Sequence, residues 1–253
     1  MRMQDIVFHE NTSIRGVRPL SSVLKTLSVL DLLGSKPNVM RLSEIARETG
    51  MSRSTALQKL VTLVQAGWVE QAEGAYRLSL RTTRVANAAL EQASLGERIV
   101  PFLERLVAKV GETASLAVIE GVSACIVQRV ESSGILRAEL HVGAPLDLFH
   151  SASGRILVAF ADQALIDRLR KNGVQLPDEK TLAQVRREHF APSSGRSFQG
   201  VRGIAAPIFD SSGRCITALS LVGPLPRFSV ERLRPHLERS AKEIIACLQG
   251  RAP

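Results

Sequence analysis

The segment from Leu42 to Leu78 constrains the fold most strongly, because its apolar spacing predicts two short helices, a tight turn between them and then a hairpin. Ser43 is a candidate N-cap for the first helix, and Gly50 is a natural end for it. Ser52 can cap the second helix, which we expect to end at Gly67. The apolar residues that predict the buried face of the second helix are Ala56, Leu57, Leu60, Val61, Leu63 and Val64.

The opposite face of this second helix is rich in hydrogen-bond donors, and the sequence has no acidic residue between positions 48 and 70. Such a face suits the major groove of DNA, where base edges and phosphates both accept hydrogen bonds. We predict that Arg53 and Gln58 read bases. Lys59 and Ser52 are predicted to contact phosphates. The predicted DNA-contacting residues of the helix are Ser52, Arg53, Ser54, Thr55, Gln58 and Lys59.

A hairpin is predicted directly after this helix, because Trp68-Val69 and Tyr76-Arg77-Leu78 flank a turn that contains Gly74. It would form the wing of a winged helix-turn-helix. Arg77 on this wing is predicted to reach the flanking minor groove or the DNA backbone. An ordinary helical hairpin with a solvated face, or a surface that binds another protein, is an alternative interpretation of the same pattern.

Length and composition indicate a globular protein with two modest domains, since the chain has 253 residues and is 45% hydrophobic. The net charge of +9 is consistent with a nucleic-acid partner. The cysteines, Cys125, Cys215 and Cys247, are far apart in sequence, which predicts buried thiols in a reducing compartment rather than disulfides or zinc ligands. The sequence has neither a signal-like apolar block in its first twenty residues nor a membrane-length apolar run, so we expect a cytoplasmic protein with no membrane partner.

The sequence pattern divides the chain into four parts: a mobile tail over residues 1–18, a DNA-binding domain over 19–79, a linker over 80–96 and a second domain over 97–253. The linker lacks Pro and Gly until Gly96 and favours a helix. Its Ala-rich face is a candidate surface for packing against a second copy of the chain or against the second domain. The leucines that mark the first helix, which Gly34 would end, are Leu20, Leu24, Leu27 and Leu30.

The second domain alternates strand-like and helical runs in an order that predicts an α+β fold, with helices on an antiparallel sheet. The predicted strands are Ala114–Ile119, Ala124–Val130, Leu136–Val142, Ile204–Phe209 and Cys215–Leu221. The predicted helices are Arg98–Val110, Gly154–Phe160, Asp162–Lys171, Glu179–Glu188 and Val230–Leu248.

The span from Leu20 to Gly250 resembles the IclR family of bacterial transcription regulators. The resemblance is carried by ordered motifs at residues 42–55, 67–70, 76–78, 143–146, 151–155, 201–210 and 218–224. It implies an N-terminal winged helix-turn-helix, a linker helix and a C-terminal GAF-like antiparallel sheet with helices. It also implies a homodimer or dimer of dimers that binds double-stranded operator DNA and a small organic acid, and that represses or activates transcription.

The effector site is expected where Ser151, Ala152, Ser153 and Gly154 open a helix directly after a loop. Free amides and the helix dipole make such a start a site for an anion, although a plain serine N-cap is the simpler interpretation. The family resemblance implies that the amides of Ala152 and Ser153 hold an effector carboxylate. It places further lining residues in an apolar wall, at Leu136 and Ala138, and on the facing strand, at Ser220 and Val222.

Three departures from the family pattern predict a roomier and less polar pocket. Gly203 stands where the family carries a cysteine, Ser193 where an acid is expected, and Val222 where a second serine is typical. A carboxylate with a larger apolar or aromatic body is therefore expected in preference to a small keto acid such as glyoxylate or pyruvate.

The sequence contains no nucleophile–base constellation, phosphate loop or nucleotide-binding fingerprint, so we predict neither an enzyme nor a cofactor. A metal site formed by His141, His150 and His189 is an alternative, but their spacing is not typical of ligands. The alternative function is a GAF-like thiol or metabolite sensor or enzyme with an adapter winged helix. That function needs reactive cysteines close together, whereas Cys125 and Cys215 lie in apolar strand-like runs.

Overall fold

The computed structural model describes residues 17–36, 38–133, 140–194 and 200–250. The chain forms two compact units, divided between Ala89 and Leu90. The predicted mobile tail, apart from residues 17 and 18, lies outside the described residues. No helix in the described ranges combines the length and hydrophobicity that crossing a membrane requires.

The first unit packs three helices against a small antiparallel sheet. The helices are α1 (Ser21–Gly34), α2 (Leu42–Thr49) and α3 (Arg53–Gln65), and the strands are β1 (Met40–Arg41), β2 (Val69–Ala72) and β3 (Ala75–Leu78). The strand order is β1-β3-β2. The core includes Leu32 from α1, Ile45 from α2 and Leu60 from α3, which are fully buried together. The predicted winged helix-turn-helix is confirmed.

One local prediction for this unit was wrong, and the buried face of α1 differs from the leucine pattern. Ser43 does not cap α2, because the helix begins at Leu42; the amide of Arg41 instead donates to Glu44 Oε2 at 2.7 Å. The buried face of α1 consists of Val29, Leu32 and Leu33, at i, i+3 and i+4, and not of the four leucines that mark this helix in the sequence. Only the C-terminal part of α1 reaches the core, so the N-terminal leucines of the pattern remain partly or largely exposed.

Helix α3 begins as predicted, because Ser52 Oγ accepts a hydrogen bond from the Thr55 amide at 3.2 Å. Its buried face is narrower than predicted and consists of Ala56, Leu60 and Leu63. The side chains of Leu57 and Val61 are 42% and 46% exposed. Since each helical residue turns by about 100°, these two lie on the flank of α3 rather than beneath it.

The second unit contains a six-stranded antiparallel sheet in the order β6-β5-β4-β9-β8-β7. The strands are β4 (Thr113–Glu120), β5 (Ser123–Val130), β6 (Pro145–Leu146), β7 (Ala191–Pro192), β8 (Val201–Phe209) and β9 (Cys215–Pro224). The helices that follow α4 (Arg81–Gln92) are α5 (Val100–Val110), α6 (Ala152–Ala159), α7 (Gln163–Lys171), α8 (Glu179–Glu188) and α9 (Val230–Leu248). The α+β prediction is confirmed. Residues 140–142 of the predicted strand Leu136–Val142 are not a strand, and the rest of that strand lies outside the described residues.

The two faces of this sheet differ in side-chain size. One face packs large residues such as Leu116 and Leu219 against α5 and α9. The other face lies against α6 and presents Ser, Ala and Gly in alternating positions along three adjacent strands. These small residues are Ser115 and Ala117 of β4, Ala218 and Ser220 of β9, and Gly203 and Ala205 of β8. Because they fill little volume, they leave space between α6 and the sheet.

Candidate functional site

The exposed face of α3 presents Arg53, Ser54 and Gln58 to solvent, as a DNA-reading surface requires. Thr55 and Lys59 are half-buried on the flank of the helix. The hydroxyl of Ser52 is engaged within the chain, since it caps the helix and lies 3.0 Å from Ser54 Oγ. The described geometry therefore brings the six predicted residues to the N-terminal half of α3, partly on its exposed face and partly on its flank.

Leu57 and Val61 belong to this exposed surface, although the sequence pattern placed them in the core. They lie one helical turn apart, with Ser54 one turn before Leu57. The sequence signal that separates them from the buried set is the spacing of Ala56, Leu60 and Leu63 at i, i+4 and i+7.

The wing is a tight hairpin whose turn places Glu73 and Gly74 at φ values of 52° and 75°. Two consecutive positive φ angles are typical of the turn that matches the twist of paired strands. Arg77 on β3 is exposed, and its Nη2 lies 2.9 Å from Glu70 Oε2 on β2. An exposed pair of this kind contributes little stability, so Arg77 can exchange this carboxylate for a phosphate.

Side chains at and just before the start of α4 hold the end of α3 and the wing together. Arg81 Nη1 donates to the carbonyl of Ala66 at 2.7 Å, and its guanidinium lies 5.3 Å from the ring centre of Trp68. The hydroxyl of Ser79 donates to the carbonyl of Gly67 at 2.6 Å. These bonds satisfy carbonyls at the C-terminal end of α3 and fix the position of the wing.

The second unit contains a cavity between the start of α6 and the small-residue face of the sheet. The cavity has a volume of about 50 Å³ and is partly open to solvent. The described residues that line it are Ser115, Ile126, Leu140, Leu146, Ser151, Ala152, Ser153, Ser193, Val201, Gly203, Ser220, Leu221 and Val222. This set combines apolar walls with several serine hydroxyls and includes neither a lysine nor an arginine.

The start of α6 is arranged as a donor site. Ser151 caps the helix by accepting the amide hydrogen of Gly154 at 2.9 Å. Ala152 and Ser153 occupy the first two helical positions, where an amide has no acceptor within its own helix. The nearby carboxylate of Asp147 is occupied by loop amides, since its Oδ1 accepts from Phe149 N at 2.9 Å.

Arg155 organises the loops around the start of α6. Its Nε donates to the carbonyl of Phe149 at 2.9 Å, and its Nη1 donates to the carbonyl of Pro192 at 3.2 Å. Burial lowers the pKa of this guanidinium, and the charge of Asp147 partly opposes that change. Arg155 is outside the described lining, so we assign it to loop positioning.

The structure brings most of the predicted effector residues together around this cavity. Those that line it are Ser151, Ala152, Ser153, Ser193, Gly203, Ser220 and Val222. Leu136 and Ala138 lie outside the described residues. Gly154 is absent from the described lining and instead allows close packing, because a methyl group there would lie 2.5 Å from the carbonyl oxygen of Asp147.

Gly203 and Ser193 are joined by two hydrogen bonds at the edge of the cavity. The amide of Gly203 donates to Ser193 Oγ at 3.0 Å, and the amide of Ser193 donates to the carbonyl of Gly203 at 2.8 Å. A methyl group on Gly203 would lie 4.0 Å from Ala152 Cβ. Because glycine has no side chain, this space beside the start of α6 is empty.

Sequence reasoning missed the contribution of β4 to this site. Ser115 lies directly opposite Ser220 in the β4–β9 register and faces the same cavity. The alternation of small residues along β4 was the available signal. Without the pairing of β4 with β9, nothing connected Ser115 to the predicted effector residues.

The cysteines of β5 and β9 are poor candidates for reactive thiols. Burial, with a smaller contribution from the neighbouring Glu120, raises the pKa of the Cys125 thiol to about 12. Burial likewise raises the pKa of the Cys215 thiol to about 11. Because the thiolate is the nucleophile, these shifts weigh against the thiol-sensor alternative.

Two family models match the sequence. One, described as bacterial transcriptional regulator IclR C-terminal, covers residues 87–246. The other, described as the IclR helix-turn-helix domain, covers residues 22–73. Together they span both units.

Individual proteins match over most of their length. The chain is 31% identical over 231 residues to the HTH-type transcriptional regulator BhcR of Paracoccus denitrificans, which covers 86% of this chain and 81% of that protein. It is 28% identical over 243 residues to an uncharacterized HTH-type transcriptional regulator of Haemophilus influenzae. That match covers 88% of this chain and 91% of that protein. It is also similar to the crystal structure of an IclR homolog from Microbacterium hydrocarbonoxydans complexed with 4-hydroxybenzoate, at 26% identity and a TM-score of 0.78, covering 90% of this chain and 99% of that chain.

Proposed function

This chain belongs to the IclR family of bacterial transcriptional regulators, and we propose from that premise which residues bind operator DNA and which hold the effector. Operator DNA is bound by α3 and the wing, and a carboxylate effector by the cavity at the start of α6. The observation that carries the effector assignment is that cavity, which combines apolar walls with helix-start amides that have no acceptor within their own helix. The protein acts by binding, without a catalytic step.

In the DNA complex, α3 enters the major groove. Gln58 and Arg53 read base edges, and Lys59 on the flank reaches a phosphate together with the start of the helix at Ser52. Ser54 and Thr55 add hydroxyl contacts at the same end, and Arg77 contacts the flanking backbone or minor groove. The exposed Leu57 and Val61 suit apolar contact with thymine methyl groups.

Binding to operator fragments selected from a random DNA library with the wild-type protein tests this assignment. Gln58→Ala should relax the base preference and cost about 1–3 kcal/mol of binding free energy. Lys59→Ala should weaken binding to all sequences alike. It should also reduce by about one the slope of the logarithm of the binding constant against the logarithm of the salt concentration. Lys242→Ala, which removes an exposed lysine from α9, is the matched control and should change neither quantity. Operator binding that persists unchanged in the Arg53→Ala/Gln58→Ala double variant would show that α3 is not the reading helix.

The regulator acts at least as a homodimer, because one winged helix reads too few base pairs for specificity in a genome. Helix α4 is the proposed part of the dimer interface. All its residues are described and none is buried, although the face around Val85 and Ala89 is apolar. An apolar face of this kind is consistent with a second copy of the chain as its partner.

Sedimentation of the full chain at micromolar concentration tests the dimer. Val85→Asp should weaken association, whereas Thr83→Asp, which adds the same charge on the opposite side of α4, should not. A monomer of 27.5 kDa that still binds a palindromic operator tightly would rule the dimer out.

The proposed effector is an organic acid with an apolar or aromatic body. Its carboxylate binds the amides of Ala152 and Ser153, and its body lies against Gly203, Ser220 and Val222. The homolog complexed with 4-hydroxybenzoate supports an aromatic acid as the class to test first. The effector alters DNA affinity because it favours one of two arrangements of the regulator.

Thermal-shift measurements with benzoate, phenylacetate and hexanoate, each against its uncharged amide, test the anion site. The acids should stabilise the protein more than the amides. Ser193→Asp should weaken acid binding at least about tenfold through charge repulsion, and Ser193→Asn, which has the same shape without the charge, should weaken it less. Equal stabilisation by acids and amides would exclude carboxylate binding at α6.

A further inference from the structure

We propose that Ser115, together with Ser220, forms a second polar subsite that binds a hydroxyl or oxo group of the effector. This inference rests on the proposed effector site and extends it to the other end of the ligand. The effector is then a hydroxy acid or an oxo acid with its two oxygen functions at separate ends of an apolar body.

The first observation is a buried hydroxyl that has no partner. Ser115 is 3% exposed and lines the cavity, and its Oγ has no hydrogen-bond partner among the residues that the structure describes. Buried polar groups are paired in the great majority of cases, because leaving one unpaired sacrifices its hydration. A hydroxyl that faces a ligand cavity without a partner is available to a ligand.

The second observation is the hydroxyl beside it. Ser220 lies opposite Ser115 on β9 and also lines the cavity, and its Oγ donates to the carbonyl of Ser115 at 3.3 Å. The lone pairs of Ser220 remain available as acceptors, whereas Ser115 can donate or accept. Two adjacent hydroxyls of this kind match a ligand hydroxyl, which both donates and accepts, or a carbonyl oxygen, which accepts.

The sheet register separates this pair from the carboxylate subsite. Gly203, which lies against Ala152 at the start of α6, is opposite Val222 on β9. Ser220 is two residues farther along the same strand, a distance of about 7 Å. That separation is of the order of a benzene ring with a substituent at each end, and the β9 residue on this face beside the carboxylate subsite is the apolar Val222.

The experiment compares acids that differ by one hydroxyl, on the full chain. The pairs are 4-hydroxybenzoate and 3-hydroxybenzoate against benzoate, 4-hydroxyphenylacetate against phenylacetate, and 6-hydroxyhexanoate against hexanoate. Affinity is measured by isothermal titration calorimetry for the wild type, for Ser115→Ala and for Ser240→Ala. Ser240 is a buried serine in α9 outside the described lining, so it controls for loss of a serine hydroxyl elsewhere.

At least one hydroxylated acid should bind the wild type about 3- to 10-fold more tightly than its parent. Ser115→Ala should remove that preference by weakening the hydroxylated acid towards the affinity of its parent, and Ser240→Ala should preserve the preference. A preference that survives in Ser115→Ala overturns the subsite but leaves the carboxylate site intact. A panel without any hydroxyl preference, including one in which nothing binds, also overturns the subsite.

Two further readouts separate the possible failures. In the absence of ligand, Ser115→Ala should unfold at the wild-type temperature or above it, because it removes an unpaired hydroxyl. A lower unfolding temperature would show that the hydroxyl has a structural partner and would overturn the proposal. Equal binding of the acids and their amides would instead overturn the proposed carboxylate site.

Discussion

Gly203 and Gly223 provide a matched pair of alanine substitutions. The structure predicts that one substitution raises the free energy of unfolding and that the other lowers it. Both lie in the β8–β9 hairpin, in adjacent rows of the register, and both have φ angles outside the positive region. At Gly203 an added methyl group would meet the carbonyl oxygen of Leu221 at 3.4 Å and Ala152 Cβ at 4.0 Å. At Gly223 it would lie 2.2 Å from Glu112 Oε2 and 3.1 Å from Phe228 Cδ2.

These contacts set the expected magnitudes. Gly203→Ala should raise the free energy of unfolding by about 0.5–1.5 kcal/mol, because alanine restricts the unfolded chain and the methyl group fills empty space. Gly223→Ala should lower it by about 2–3 kcal/mol. The side chain of Glu112 is 3% exposed and is held by Arg227 Nε and Nη2, both at 3.1 Å, so it cannot move aside without losing these bonds.

Differential scanning calorimetry of the full chain measures both effects, with about 2–4 °C expected per kcal/mol. The fluorescence of Trp68, the single tryptophan of the chain, checks that the first unit remains folded. Gly203→Ala should also weaken binding of the bulkier acids while it raises stability, since the methyl group occupies ligand space. Destabilisation by Gly203→Ala, or tolerance of Gly223→Ala, would refute the packing argument.

The remaining predictions concern the DNA-binding surface and the thiols. Leu57→Ala and Val61→Ala should each reduce affinity for selected operators that contain thymine at the contacted positions, with unchanged thermal stability; a fall in stability would place these side chains in the core after all. Gly74→Ala should destabilise the wing by about 1 kcal/mol, as measured by chemical denaturation followed with Trp68 fluorescence, because the cost is the positive φ alone and no described atom lies within 4 Å of the new methyl group. Cys125 should resist iodoacetamide in the native protein at pH 8, where a pKa of about 12 leaves about one thiolate in 10⁴, and should react readily in denaturant; rapid native alkylation would reopen the thiol-sensor alternative.

Local signals in the sequence were sufficient for most elements. Helix α8 begins and ends at the predicted residues, and so does α9. Ser52, Gly50 and Gly74 act through their own backbone and nearest neighbours, so their roles as cap, helix end and turn were predictable. In the first unit, the differences on α1 and α3 concern which side of a helix is buried, whereas Ser43 does not cap α2 because that helix begins at Leu42.

The tertiary structure decided the rotation of those helices and the composition of the cavity. Periodicity locates a helix, but an apolar residue on its flank is buried only if a neighbouring element covers it, and Leu57 is left uncovered. The cavity unites Ser115 with Ser220, which are 105 residues apart, through strand pairing that no local pattern specifies. The sequence therefore determined the elements and the helix start that offers donors to an anion. Only long-range packing determined which side chains face that helix start, because a strand alternates its faces but does not choose its neighbours.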